Sequence, residues 1–179
     1  MKIVILTGSA RKNGNSARMA NCAAEVAERK GYEVVSIDTA FLHLNGCHAC
    51  GGCFKTGKAC AFDDDFNRYA ADMETADAII VASQVYWYSV PGLLKTFIDN
   101  IYCFMGTGKD ISGKKYALLA CAGEPELNVF DGMKFCIDKS FTLMGWKKAG
   151  EVLVPACYKP GDIENTDALK RVEKLVESL

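Results

Sequence analysis

The sequence has little that would tie it to a charged partner or a membrane. Its 179 residues carry a formal net charge of −1, with 24% charged side chains, so no basic field draws it to nucleic acid or anionic lipid. No apolar run reaches the roughly 20 residues that span a bilayer. The apolar stretch in the opening MKIVILTGSARK is too short for a signal peptide. The expectation is a cytoplasmic chain with neither a membrane nor a nucleic-acid partner. Proline is scarce, with 4 residues, and histidine scarcer, with 2. The first glycine-bearing loop lacks both the Gly-Lys-Ser/Thr of a P-loop and the G-x-G-x-x-G spacing of a dinucleotide fold. No second carboxylate cluster accompanies Asp63, Asp64 and Asp65, so metal-dependent hydrolysis has no support and that run reads as helix capping.

Cysteine is what the chain has in excess. There are 9, and 4 fall within GCHACGGCFKTGKAC, residues 46 to 60, spaced C-x2-C-x2-C-x6-C. In a reducing compartment such density belongs to metal or redox chemistry rather than to a disulfide scaffold. The other five, Cys22, Cys103, Cys121, Cys136 and Cys157, lie singly in apolar stretches and read as core. For the four clustered thiols the alternatives stay open: a 4Fe-4S cluster, zinc, or redox or structural thiols without a metal. Cys47, Cys50 and Cys53 at x2 spacing present successive thiolates to the corners of one cube, with Cys60 as the fourth ligand. Gly51 and Gly52 allow a tight turn there, and Lys55 and Lys58 offset negative charge. His48 lies inside the motif as an alternative ligand or a plain loop residue.

Apolar runs of strand length alternate with amphipathic stretches along the whole chain. KIVILT (2–7), EVVSID (33–38), DAIIVASQ (77–84), KKYALLACAG (114–123) and KAGEVLVPA (148–156) read as strands. Helical patterns fill 16–30, 63–76, 92–102, 126–145 and 166–179. Five strands separated by helices predict an α/β fold, a doubly wound parallel sheet in one domain over 1–179. Such sheets bind ligands beyond the carboxyl ends of their strands, where strand order reverses.

Two loops at those ends carry chemistry. TGSARKNGNSARMA (7–20) supplies glycines, hydroxyls at Ser9 and Ser16, Arg11 and then a helix. Amides at a helix start, short hydroxyls and a cation together form a site for a terminal phosphate. The plain alternative is a strand-to-helix loop with Asn15 or Ser16 as N-cap. In ASQVYWYSVPGLLKTFID (82–99), Tyr86, Trp87 and Tyr88 run consecutively at the end of a strand, so some of them must leave the core for a ligand or a partner. A flat heteroaromatic ring suits these side chains; an interface is the alternative.

The pairing of GSARKNGNS with SQVYWYSVPGLLKTFID resembles the flavodoxin-fold NADPH-dependent FMN reductase superfamily, and the cysteine loop resembles its iron-sulfur flavoprotein branch. The resemblance implies a five-stranded sheet of order 2-1-3-4-5. It implies that the FMN phosphate is gripped at Ser9, Arg11, Asn15, Ser16 and Ala17. It also implies that the isoalloxazine is wrapped by Gln84, Val85, Tyr86 and Trp87 and covered at another edge by Ala122, Gly123 and Glu124. Two prolines usual in these loops are replaced by Ala10 and Gln84, which relaxes loop rigidity without removing donors. The function so implied is an FMN-dependent oxidoreductase or electron-transfer flavoprotein, with Cys47, Cys50, Cys53 and Cys60 as ligands of a 4Fe-4S cluster. An NAD(P)H-dependent FMN or quinone reductase without a cluster is the alternative. A zinc-stabilised binding module is the alternative from another class. No side chain is assigned as a catalytic acid or base. The electron donor and acceptor, a small molecule such as NAD(P)H or a redox protein, stay open, and a homodimer or higher oligomer is expected.

Overall fold

A computed structural model describes residues 1–179. Strand β1 (Lys2–Thr7) runs into helix α1 (Asn15–Arg29), and β2 (Glu33–Asp38) into a long loop that holds the short helix α2 (Gly52–Thr56). Helix α3 (Phe66–Thr75), β3 (Ala78–Gln84), α4 (Gly92–Asn100), the single turn α5 (Cys103–Gly106) and β4 (Lys115–Cys121) follow. Helix α6 (Asp131–Leu143), β5 (Lys147–Val154) and α7 (Ala168–Glu177) complete the order. All four strand pairings are parallel, and the sheet order is β2-β1-β3-β4-β5. The strand-order reversal between β1 and β3 fixes where a ligand crevice opens.

Strand periodicity builds two cores. Val4, Leu6, Ile79, Val81, Leu118 and Ala120 face the layer of α3 to α6, while Ile3, Ile5, Ile80, Ala117 and Leu119 face α1 and α7. The three central strands are buried on both faces, which is why they read as unbroken apolar runs. The edge strands β2 and β5 are only partly buried. On the α3 to α6 side, Phe66 and Phe97 meet edge to face at 5.1 Å, both fully buried. Truncating either would cost about 3–5 kcal/mol. No helix is long and apolar enough to cross a membrane.

Several predicted helices are shorter than their patterns. The 92–102 pattern ends at Asn100, and a bend separates it from α5. The 126–145 pattern opens with a 3-10 turn at Leu127–Phe130 before α6 begins. The acidic run ahead of α3 caps the helix and does more. Asp64 Oδ1 accepts from Phe66 N at 3.0 Å, while Asp64 Oδ2 and Asp65 Oδ2 accept from Asn45 N and His43 N at 3.1 and 2.8 Å. The aspartates thus pin the base of the cysteine loop.

Candidate functional site

The loops after β1, β3, β4 and β5 enclose a cavity of about 810 Å³ at the carboxyl edge of the sheet. Its floor is fixed by backbone bonds that continue the ladder: Gly8 N to Ala82 O (3.0 Å), Val85 N to Cys121 O (2.9 Å) and Ala122 N to Val154 O (3.0 Å). Gln84 joins the first two loops, with Nε2 donating to Gly8 O and Oε1 accepting from Ser16 Oγ, both at 3.3 Å.

At one end of the cavity, α1 starts with no side chain capping it; Gly14 occupies the N-cap. The N-terminal amides of a helix of this length present roughly half a positive charge. Ser9 folds back on its own turn, accepting from Arg11 N at 3.1 Å and donating to Arg11 O at 3.0 Å. Ser16 is buried, and Arg11 stands exposed at the rim. Cys121 lies beneath the start of α1, and burial pushes its thiol up to about 12, so it stays a neutral thiol. Asn15 departs from the expected role. Its Oδ1 accepts from Gly161 N (3.0 Å) and Ile163 N (3.3 Å), and its Nδ2 donates to Lys159 O (2.8 Å). Its amide is largely spent on the loop after β5. Ala17 is buried in the first turn of α1 and does not line the cavity.

At the other end, Tyr86 and Ser89 exchange both backbone bonds, 2.9 and 3.1 Å, around Trp87 and Tyr88. Both central residues have positive φ, 47° and 58°. This is the geometry of a type I′ turn, which favours Gly and Asn; a larger side chain costs about 1–2 kcal/mol at each position. The strained turn leaves Trp87 87% exposed at the mouth of the cavity. Tyr88 Oη donates to Glu124 Oε1 at 2.9 Å and joins the third-strand loop to the fourth. Gly132, in the first turn of α6, lies so close to the Tyr88 carbonyl oxygen that a Cβ there would overlap it.

Of the residues expected to hold the cofactor, Ser9, Arg11, Asn15 and Ser16, then Gln84, Val85, Tyr86 and Trp87, then Ala122, Gly123 and Glu124 all line this one cavity. Sequence reasoning missed Cys157, Tyr158 and Pro160 from the loop after β5, and it left Tyr88 unassigned. The aromatic run was the signal for Tyr88; nothing local marked the loop after β5.

The cysteine loop lies on the same edge. Cys47 and Cys50 are exposed, Cys53 and Cys60 are half-buried against the core, and all four are free thiols. Cys60 N donates to Asn67 Oδ1 at 2.8 Å, and Phe54 packs on Tyr102 with ring centroids 5.3 Å apart. No three His, Cys, Asp or Glu side chains converge into a group able to hold a metal ion.

Residues 1–127 match the NADPH-dependent FMN reductase family, and the chain belongs to that family. Over 128 residues, 70% of this chain, it is 36% identical to an iron-sulfur flavoprotein of Archaeoglobus fulgidus, and over 123 residues, 69% of this chain, it is 32% identical to one of Methanosarcina thermophila. These matches span 58% and 64% of the two relatives' own lengths. Among solved structures, an azoreductase from Bacillus anthracis superposes with a TM-score of 0.79 at 18% identity, covering 100% of both chains, a likeness of fold.

Proposed function

We propose that the chain is an FMN-dependent oxidoreductase whose cavity takes the phosphate of FMN at the start of α1 and its ring at the Tyr86 to Tyr88 turn. One observation carries the reading: an uncapped helix N-terminus beside Ser9, Arg11 and Ser16 at one end of an 810 Å³ cavity, with an aromatic turn at the other. When bound, FMN supplies the redox chemistry, exchanging electrons singly or in pairs. The chain's own residues bind and orient. The α1 amides, the Ser16 hydroxyl and the Arg11 guanidinium neutralise phosphate charge; Gln84 spaces the two loops; the aromatic turn excludes water from one side of the ring. The test is reconstitution with FMN and with riboflavin. Arg11→Ala and Ser16→Ala should each weaken FMN about tenfold, the value of one charge-assisted hydrogen bond, and leave riboflavin unchanged. Equal losses for both ligands would move the phosphate elsewhere, and failure of saturating FMN to bind or raise Tm would sink the reading.

The donor is NAD(P)H on the strength of the family, and stopped-flow comparison of NADPH, NADH and reduced ferredoxin tests it. A chain this rich in free thiols belongs in a reducing compartment, the cytoplasm. The mouth of the cavity stands open at Trp87, and we read it as closed by a second subunit; a monomer by light scattering with FMN bound would refute this.

A second reading rests on a different observation, the C-x2-C-x2-C-x6-C loop in a chain whose relatives are named iron-sulfur flavoproteins. Cys47, Cys50, Cys53 and Cys60 would hold a 4Fe-4S cluster, with the loop adjusting its conformation around it. Gly51 and Gly57, both left-handed and with open space around them, give it the freedom to do so. Anaerobic reconstitution should yield iron and sulfide that Cys53→Ser loses while FMN binding is kept. Less than about one iron per chain would exclude the cluster, and zinc in its place would favour a metal-stabilised module.

A further inference from the structure

One wall of the cavity lies outside the stretch matched to the family, which ends at residue 127. After β5 the chain turns back at Ala156, whose φ is 53°. Ala156 N donates to Glu124 O at 2.8 Å and Cys157 N to Ala122 O at 2.7 Å, which binds this loop to the one after β4. Asp162 Oδ2 accepts from Tyr158 N and Lys159 N at 2.9 and 2.6 Å. From the opposite side, Asn15 takes Lys159 O, Gly161 N and Ile163 N. The backbone that carries Tyr158 is therefore fixed on three sides, by β4's loop, by Asp162 and by α1.

The side chain is the opposite. Tyr158 lines the cavity and is 79% exposed. One edge of its ring rests on Gly123, where an added Cβ would stand 2.9 Å from Tyr158 Cδ2. Gly123 and Glu124 thus lie between two tyrosines, Tyr158 on the backbone of one and Tyr88 on the carboxylate of the other. A core role does not account for a ring left this bare, and a mobile surface loop would not be bonded this heavily. An aromatic face on a rigid backbone at the rim of a cavity is preorganised for another flat ring, because little freedom is lost when the ring arrives.

We propose that Tyr158 is a ligand-contacting residue that lies against a planar aromatic ring in the cavity and helps to set which rings are accepted. The inference rests on the FMN reading above. The planar ring has two sources, the isoalloxazine of FMN or a flat acceptor such as a quinone.

The experiment uses the full chain with Tyr158→Ala, Tyr158→Phe and Gly123→Ala. FMN affinity is read from flavin fluorescence, and turnover with NADPH is read with benzoquinone, which is flat, and with ferricyanide, which has no ring. If the ring is the isoalloxazine, Tyr158→Ala raises the FMN Kd about fivefold, a typical aromatic-pair effect. If the ring is the acceptor, the benzoquinone KM rises by about that factor while FMN affinity and ferricyanide turnover stay within about twofold. In either case Tyr158→Phe keeps the wild-type value, and Gly123→Ala, which displaces the ring without removing it, moves the same quantity in the same direction. Tyr158→Ala within about twofold of wild type for both FMN and benzoquinone, in a wild-type protein that binds FMN, overturns the inference. A wild-type protein that binds no FMN overturns the cofactor reading instead, and this inference with it.

Discussion

The loops around the cavity and the loop that carries four cysteines leave the same edge of the sheet and are held in opposite ways. Around the cavity the bonds are long-range: Gly8 to Ala82, Val85 to Cys121, Ala122 to Val154, and Asn15 to three residues beyond position 158. Within the cysteine loop they are short-range: Gly52 N to Cys50 Sγ at 3.4 Å, Thr56 Oγ1 to Gly52 O at 2.9 Å, Gly57 N to Cys53 O at 2.9 Å. Its longer-range anchors are the bonds at its base, the Cys60 N to Asn67 bond, and the packing of Cys53, Phe54 and Cys60. A site closed by distant bonds exists before its ligand arrives. A loop held by neighbours can be reshaped at small cost, and its final form is set by what it binds.

Alkylation should draw that contrast most strongly. Burial pushes the Cys121 and Cys103 thiols up to about 12, against an ordinary 9.0. Three units of difference leave a thiolate fraction roughly a thousandfold below that of an ordinary thiol. Iodoacetamide should therefore label the exposed Cys47 and Cys50 quickly in the native protein and leave Cys121 and Cys103 unmodified until it unfolds. Native-state labelling of Cys121 at a rate near that of Cys47 would break the comparison.

Two glycines extend it. A methyl group at Gly132 would meet the backbone carbonyl of Tyr88, which has nowhere to go, whereas one at Gly106 would meet the ring of Phe54, a side chain that can swing into solvent. Gly132→Ala should cost about 1–3 kcal/mol of stability and weaken FMN about tenfold or more by displacing the aromatic turn. Gly106→Ala should leave FMN binding intact. Isothermal titration of both variants decides the matter, and equal FMN losses would show that the two loops are not independent.

A smaller effect is expected from Asn15→Ala, which leaves three partly buried backbone groups without their side-chain partner. The cost should be about 1–2 kcal/mol, with Tm lower by roughly 2–8 °C. Asn15→Asp keeps the acceptor for Gly161 and Ile163 and should recover part of it; a thermal melt of Asn15→Ala indistinguishable from wild type would show that the clamp carries no weight. The smallest effect concerns pH. The hydrogen bond to Glu124 favours the neutral phenol and raises the Tyr88 pKa above its ordinary 10.0. Its contribution is complete below pH 10 and is lost as pH rises through the raised folded value. Burial also raises the Tyr116 pKa, so alkaline titration of tyrosinate absorbance should show two late-titrating tyrosines, of which Tyr88→Phe removes one; an unchanged profile in that variant would count against the contact.

The strands that form the cavity floor were the most legible part of the chain, because β1, β3 and β4 are buried on both faces and their apolar runs are unbroken. Candidate ligand loops could then be located from topology alone; Ser9, Ser16 and Tyr86 followed as candidates from residue type, and Gln84 from the family resemblance. Asn15 was legible as a cavity residue and illegible as a clamp, since its partners lie 144 to 148 positions away. Ala17 was placed at the phosphate by motif, yet the turn of α1 carries it inward. Tyr158 left no trace in its own neighbourhood. Its position depends on Ala156, Asp162 and Asn15 acting together, and no local pattern encodes such a conjunction. The cysteines were legible as a group by spacing, but spacing does not say whether a loop is closed.

The Asn15 clamp also orders events during synthesis. Residue 15 leaves the ribosome well over a hundred residues before its partners at 159, 161 and 163 exist. At translation rates of about 5–20 residues per second the phosphate loop waits roughly 7–30 seconds, with its asparagine unengaged and the loop after β5 absent. A nascent chain halted near residue 150 would contain every residue matched to the family and still lack one wall of the cavity. On the FMN reading, the complete pocket thus waits for the loop after β5, and a truncation before that loop would be felt at the phosphate loop.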